Sequence, residues 1–227
     1  MTSTRSFGLA ALALLLAAPV LSGPLAAQRG LREVRQWGTS GFSFDYGVPF
    51  GVMSNFIDDV GGLDAFMSFD LGRGSPLALR LEGGLLFHHL AFEDHSTSAS
   101  YIGSFRGGPQ ITIGPPGFRL YGVLLGGWSY FGTSASSYDC PCDYYNDGSS
   151  TLSGDWTMGV ETGGGLMFDL GGGNNPTRLD LGVRLVRHEN ARYLVAGPIE
   201  NGARTFTQVQ APAEYMLLRL GVTVGLR

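Results

Sequence analysis

The feature that most constrains this chain is a period of two that recurs along it. It is cleanest over 216–227, where Leu218, Leu220, Val222, Val224 and Leu226 alternate with Arg219, Gly221, Thr223 and Gly225. Neighbouring side chains on a strand point to opposite faces, so this stretch is a strand with one apolar face and one polar or small face. Beyond the N-terminal leader no segment reaches the ~18 apolar residues that a transmembrane helix requires. Any membrane span must therefore be built from strands.

Seven further stretches carry the same signal. The first, 41–50, sets Phe42, Phe44, Tyr46, Val48 and Phe50 against Ser43, Asp45 and Gly47. Over 63–71, Leu63, Ala65, Met67 and Phe69 oppose Asp64, Phe66, Ser68 and Asp70. Over 77–90, Leu77, Leu79, Leu81 and Leu85 oppose Arg80, Glu82, Gly84 and His88. The stretch 100–113 places Arg106 and Gln110 opposite Phe105 and Ile111. In 118–132 the run Val123-Leu124-Leu125 breaks the alternation and leaves the faces unassigned. The stretch 152–170 opposes Glu161, Gly163 and Gly165 to Val160 and Leu166, and 177–187 opposes Asp180 and Arg184 to Leu179, Leu181, Val183 and Leu185.

The connections alternate in length. Three are short (72–76, 114–117 and 171–176) and four are long or polar (51–62, 91–99, 133–151 and 188–211). Short turns at one end and long loops at the other, with an even strand count, describe an all-β, antiparallel, up-and-down, eight-stranded transmembrane β-barrel. It is expected to span 38–227, after a signal peptide over 1–27 and an N-terminal arm over 28–37. The leader has Arg5 ahead of the apolar run 9–18 and a small-residue exit at 22–27, which marks an exported chain. All 15 basic residues are Arg, and the net charge is −4. No basic patch of the kind that binds nucleic acid is present.

On the polar faces, Arg80, Glu82, Arg106, Glu161, Asp180, Arg184 and Arg219, with Asp45, are nearly balanced in charge and interspersed with glycines. An eight-stranded barrel has an interior just wide enough for side chains to fill. Charges held there must pair, because an isolated buried charge is very costly. The expected arrangement is a structural lumen network; the alternative is a narrow ion path. A soluble ligand-carrying barrel such as a lipocalin would put the polar faces outside, where so many glycines are out of place.

In its strand count and loop alternation the chain resembles the small eight-stranded outer-membrane barrels of the outer-membrane protein A and X type. The last strand of that family carries an assembly signal, onto which Arg219, Gly221, Val224 and Leu226 fall, although Val and Leu stand where aromatics are usual and Arg227 follows. The resemblance implies location in the bacterial outer membrane, contact with its lipids and recognition by barrel-assembly machinery. It also implies a non-enzymatic envelope or surface-interaction role without cofactor or metal, the four long connections being the candidate partner surface.

Other groups invite chemistry. His88, His89, Glu93, Asp94, His95 and Ser96 gather near one rim, the kind of set that binds metal or supports hydrolysis at a membrane surface. Adjacent His88 and His89 point to opposite faces, however, which argues against a shared site. Cys140 and Cys142 are the candidate loop disulfide, with free thiols, metal binding and intermolecular bridging as alternatives. The connections 51–62, 91–99 and 133–155 carry Asp58, Asp59, Glu93, Asp94, Asp139, Asp143, Asp147 and Asp155, whereas Arg29, Arg32, Arg35, Arg73, Arg119, Arg178 and Arg227 lie near the short turns and termini. One end is thus expected to be acidic and the other basic.

Overall fold

A computed structural model describes residues 37–72, 75–93, 96–115, 117–137, 148–171, 176–200 and 203–226. The signal peptide, the arm as far as residue 36, Asp94, His95, Cys140, Cys142 and Arg227 lie outside these residues. Eight strands follow in order: β1 (Gly38–Phe50), β2 (Val60–Asp70), β3 (Leu77–Glu93), β4 (Ser96–Ile113), β5 (Phe118–Ser137), β6 (Gly148–Gly171), β7 (Thr177–Glu200) and β8 (Ala203–Leu226). Each pairs antiparallel with its chain neighbours, and β8 returns to β1, so the sheet is a closed up-and-down barrel.

The period of two decides what each face meets. Phe42, Phe44, Leu63, Leu79, Phe105, Leu124, Val160, Leu185 and Leu220 point outward and are exposed. Arg80, Glu82, Arg106, Glu161, Arg184 and Arg219 point inward and are buried. Apolar outside and charged inside is the inverse of a water-soluble protein and suits a hydrocarbon solvent. From Leu218 to Leu226 the outward residues of β8 cover about 21 Å of height, at ~3.4 Å per residue and a tilt of ~40°. Aromatic side chains lie at both borders of this belt. Trp37 stacks on Phe69 with ring centroids 5.7 Å apart, and Phe118 meets Phe168 at 5.4 Å, at the short-turn end. Tyr130 lies 5.2 Å from Trp156 and 6.1 Å from Tyr101 at the other end.

Strand claims much of what is described of three long connections. β3 extends to Glu93 and β4 begins at Ser96, β5 and β6 claim 133–137 and 148–151, and β7 and β8 extend to Glu200 and from Ala203. Among the described residues of the long connections, 51–59 is irregular, with a 3-10 turn at Met53–Asn55. Beyond the belt there is no lipid to demand an apolar face, so the ladder continues while its sequence signal fades. In β7 the pattern also changes phase. The register against β8 shifts between Arg187 and Asn190, and such a bulge turns the opposite set of side chains inward. Val183 and Leu185 therefore face outward, whereas Ala191 and Tyr193 are buried.

β5 does alternate. Tyr121, Val123, Leu125, Ser129 and Phe131 are buried inside, and Leu120, Leu124 and Trp128 are exposed outside. Its break in the pattern arises because this part of the interior is itself apolar: Tyr121, Val123 and Leu125 cluster with Met167.

An Arg introduced on the lipid face should reveal the belt. Leu220→Arg, in its middle, is expected to destabilise the barrel by ~2–4 kcal/mol, whereas Gln210→Arg, exposed on β8 beyond the belt, should be near neutral. Urea unfolding in lipid vesicles measures both.

Candidate functional site

The polar residues of the interior form two main clusters on opposite sides of the barrel. One centres on Arg219 from β8. Its Nε donates to Asp45 Oδ1 at 2.9 Å, and its Nη2 donates to Glu82 Oε1 at 2.7 Å and lies 3.4 Å from Asp64 Oδ2. Arg80 holds the other side of Glu82, with Nε 2.6 Å from Oε2, and donates from Nη1 to Gln110 Oε1 at 3.1 Å. The Arg80 guanidinium also lies flat over Phe66, 3.4 Å from the ring centroid, a contact favoured by the negative ring face.

A second cluster, level with the first, centres on Glu161 from β6, which is fully buried. Arg106 Nη1 reaches Oε2 at 2.5 Å and Arg184 Nε lies 3.0 Å from Oε1. Arg184 donates to the Tyr121 hydroxyl at 3.2 Å, and that hydroxyl donates to Asp180 Oδ1 at 2.7 Å. Arg106 donates further to Tyr215 at 3.3 Å and to Ser129 at 3.4 Å. His188 Nδ1 lies 3.3 Å from the Ala213 carbonyl and Nε2 lies 2.8 Å from Ser129 Oγ. A carbonyl can only accept, so in the neutral ring Nδ1 donates and Nε2 accepts from Ser129.

The seven sequence-predicted residues are thus all brought inside. They form two hydrogen-bonded clusters rather than the single connected network expected: Arg80, Glu82 and Arg219 in one, Arg106, Glu161, Asp180 and Arg184 in the other. Among the described residues no hydrogen bond or ion pair joins the clusters. The Tyr121 ring stands between them, 5.9 Å from Arg80 and 5.0 Å from Arg184. Apolar Val123, Leu125 and Met167 cluster with that ring and supply no polar link. A third pair, Arg178 Nε to Asp169 Oδ1 at 2.7 Å, lies toward the short turns.

Glycine makes room for these long side chains. A Cβ on Gly163 would sit 2.2 Å from the Val183 carbonyl oxygen and 2.8 Å from Arg184 Cδ, and one on Gly84 would sit 2.5 Å from Asp64 Oδ2. Toward the long hairpins the interior changes character. Met53, Ile57, Val60, Leu86, Ile102, Phe131, Tyr193 and Leu217 belong to one buried apolar cluster.

Asp64, Tyr121, Ser129, His188 and Tyr215 have no place in the sequence-predicted set. Asp64 shares its phase with Phe66 and Ser68, so its direction is legible; its partner on β8 is not. His188 and Tyr215 lie in or next to the segment first read as a loop, which hid them. At the rim, β3 changes register between Phe87 and His89. Nothing is described of the side chains of His89 or Glu93, and among the described residues no group of three or more His, Cys, Asp or Glu is placed to hold a metal.

A closed sheet with an apolar belt outside and paired charges inside defines a small eight-stranded transmembrane β-barrel. Solved structures of this kind resemble it. Neisserial surface protein A matches with a TM-score of 0.48 at 11% identity, covering 82% of this chain and 96% of that one. The attachment invasion locus protein Ail of Yersinia pestis matches with 0.48 at 10%, covering 85% and 100%. Outer membrane protein OprG of Pseudomonas aeruginosa matches with 0.41 at 11%, covering 84% and 98%. The likeness is one of architecture. No protein-family model matches the chain, and no curated protein matches it.

Removing Glu161 leaves two buried guanidiniums without their shared carboxylate. Glu161→Ala is expected to cost ~3–5 kcal/mol, and Tyr121→Phe, which removes one hydroxyl between Arg184 and Asp180, ~1–3 kcal/mol. Urea midpoints in lipid vesicles read both; equal stability of Glu161→Ala and the parent would contradict the pairing.

Proposed function

We propose that this protein is a non-enzymatic barrel of the bacterial outer membrane whose interior is a structural plug and whose strand extensions work at the surface. The observation that carries the reading is the filling of the interior. The Arg219 and Glu161 clusters are buried side by side, Glu82 of one lying in register with Arg106 of the other, and the apolar cluster around Met53, Phe131 and Tyr193 lies toward the long hairpins. An ion would have to displace buried salt bridges and then cross an apolar layer, both costly steps.

The hairpins support the surface role. β7 continues from His188 to Glu200, roughly 40 Å of strand at ~3.3 Å per residue. The leader expected over 1–27, and a last strand that follows the family's assembly signal except that Val224 and Leu226 stand where aromatics are usual, agree with delivery to the outer membrane. Hydrolysis finds no support in the Ser129–His188 contact. Both side chains are buried, and the second ring nitrogen is held by a backbone carbonyl rather than a carboxylate.

Purified protein reconstituted in planar bilayers tests the plug. The expected record is flat, without sustained conductance steps. Stepwise openings by the parent chain would overturn the reading in favour of a pore.

A further inference from the structure

We propose that the short-turn mouth of the barrel is a binding site for a small zwitterion of amino-acid size, one carboxylate and one ammonium on a short skeleton. A cavity of about 110 Å³ opens there, between Thr39, Asp70, Gln110, Thr112, Arg119 and Arg178. Its inner limit is tied to the Arg219 cluster: Gln110 accepts from Arg80 and donates to Thr112 Oγ1 at 3.0 Å. The floor is therefore fixed by the same charges that fill the interior.

The charges around this bowl are arranged in opposition. Asp70 comes from β2, whereas Arg119 comes from β5 and Arg178 from β7, on walls well separated around the ring. Asp70 lies within electrostatic reach of both guanidiniums. Even so, among the described residues neither Asp70 nor Arg119 makes an ion pair. Arg178 is buried and oriented by Asp169. A negative group on one wall and two positive groups on another, separated by a cavity, leave a space with a built-in field.

That field selects its ligand. A simple anion entering the bowl gains Arg119 but meets Asp70, and a simple cation gains Asp70 but meets two arginines. A zwitterion satisfies both, with its carboxylate toward Arg119 and its ammonium toward Asp70. The cavity is of amino-acid size and excludes a folded macromolecule. With so few ligand atoms the affinity is of millimolar order.

The test compares glycine, acetate and methylammonium on the full chain in detergent micelles at low ionic strength. Saturable NMR shifts of the arginine side-chain resonances are the readout. Glycine should bind about tenfold or more tightly than either single-charge probe. Arg119→Gln should abolish glycine binding, and Asp70→Asn should lower it to the level of acetate. The probe comparison on the parent chain stands even if a variant does not fold. No saturable glycine shift, equal binding of glycine and acetate, or unchanged glycine binding by a folded Arg119→Gln would each overturn the proposal.

Discussion

In hydrocarbon, a backbone N–H or C=O without a partner costs several kcal/mol, and one seam lets this chain meet that constraint. β1 and β8 are the first and last strands, and they pair over the whole of β1, from Gly38↔Leu226 to Phe50↔Glu214. Closure also sets where the ring may open. β1 ends at Phe50, so β8 above Glu214 has lost that neighbour; β6 and β7 pair only as far as Gly159↔His188. Both openings lie beyond the belt, where water replaces the missing partners. The exposed edges are also guarded. Pro212 lies on β8, and the Asp155 carboxylate accepts from the Arg192 backbone N–H at 2.9 Å on β7. On the low β1–β2 side, Met53 and Ile57 join Ala213 and Tyr215 in the apolar cluster that occupies the interior.

Closing eight strands leaves an interior with no room for a hydrated ion pair, so the charges must neutralise one another directly. The two main clusters hold four arginines against five carboxylates, those of Asp45, Asp64, Glu82, Glu161 and Asp180. The Glu161 cluster is balanced, with Arg106 and Arg184 facing Glu161 and Asp180. The Arg219 cluster carries the extra acid, and Asp64, whose contact with Arg219 is 3.4 Å, is its most weakly held member. Aromatic rings take part: Phe66 lies under Arg80, and Tyr121 hydrogen-bonds to Arg184 and Asp180.

Within the belt the chain can be read almost directly, because lipid on one side and paired charge on the other impose opposite demands on successive residues. Phe42 to Phe50, Leu77 to Leu81 and Leu218 to Leu226 show this plainly. The reading fails where one of those demands lapses. In β5 the interior is locally apolar, so Val123, Leu124 and Leu125 look alike although they face opposite ways. Above His188 lipid is absent and a bulge reverses the phase, so the β7–β8 extension resembled a loop. The interior charges were legible as a set because their phase was legible. Their division into two clusters was not, because it depends on which residues meet across the barrel, and the Tyr121 ring stands between Arg80 and Arg184.

The central claim is that the face rich in Leu and Val meets lipid while the Arg-bearing face is sealed inside. Spin labels at single cysteines along β8, in a chain with Cys140 and Cys142 replaced by Ser and reconstituted in lipid vesicles, test it most directly. Labels at Leu218, Leu220, Val222 and Val224 should relax with oxygen, which partitions into lipid, and those at Gln208, Gln210 and Pro212 with a water-soluble nickel reagent. Cysteines at buried Leu217 and Thr223 should resist labelling in the folded barrel. Ready labelling and oxygen access at Thr223, with protection at Leu220 and Val222, would contradict the account and turn the barrel outside in.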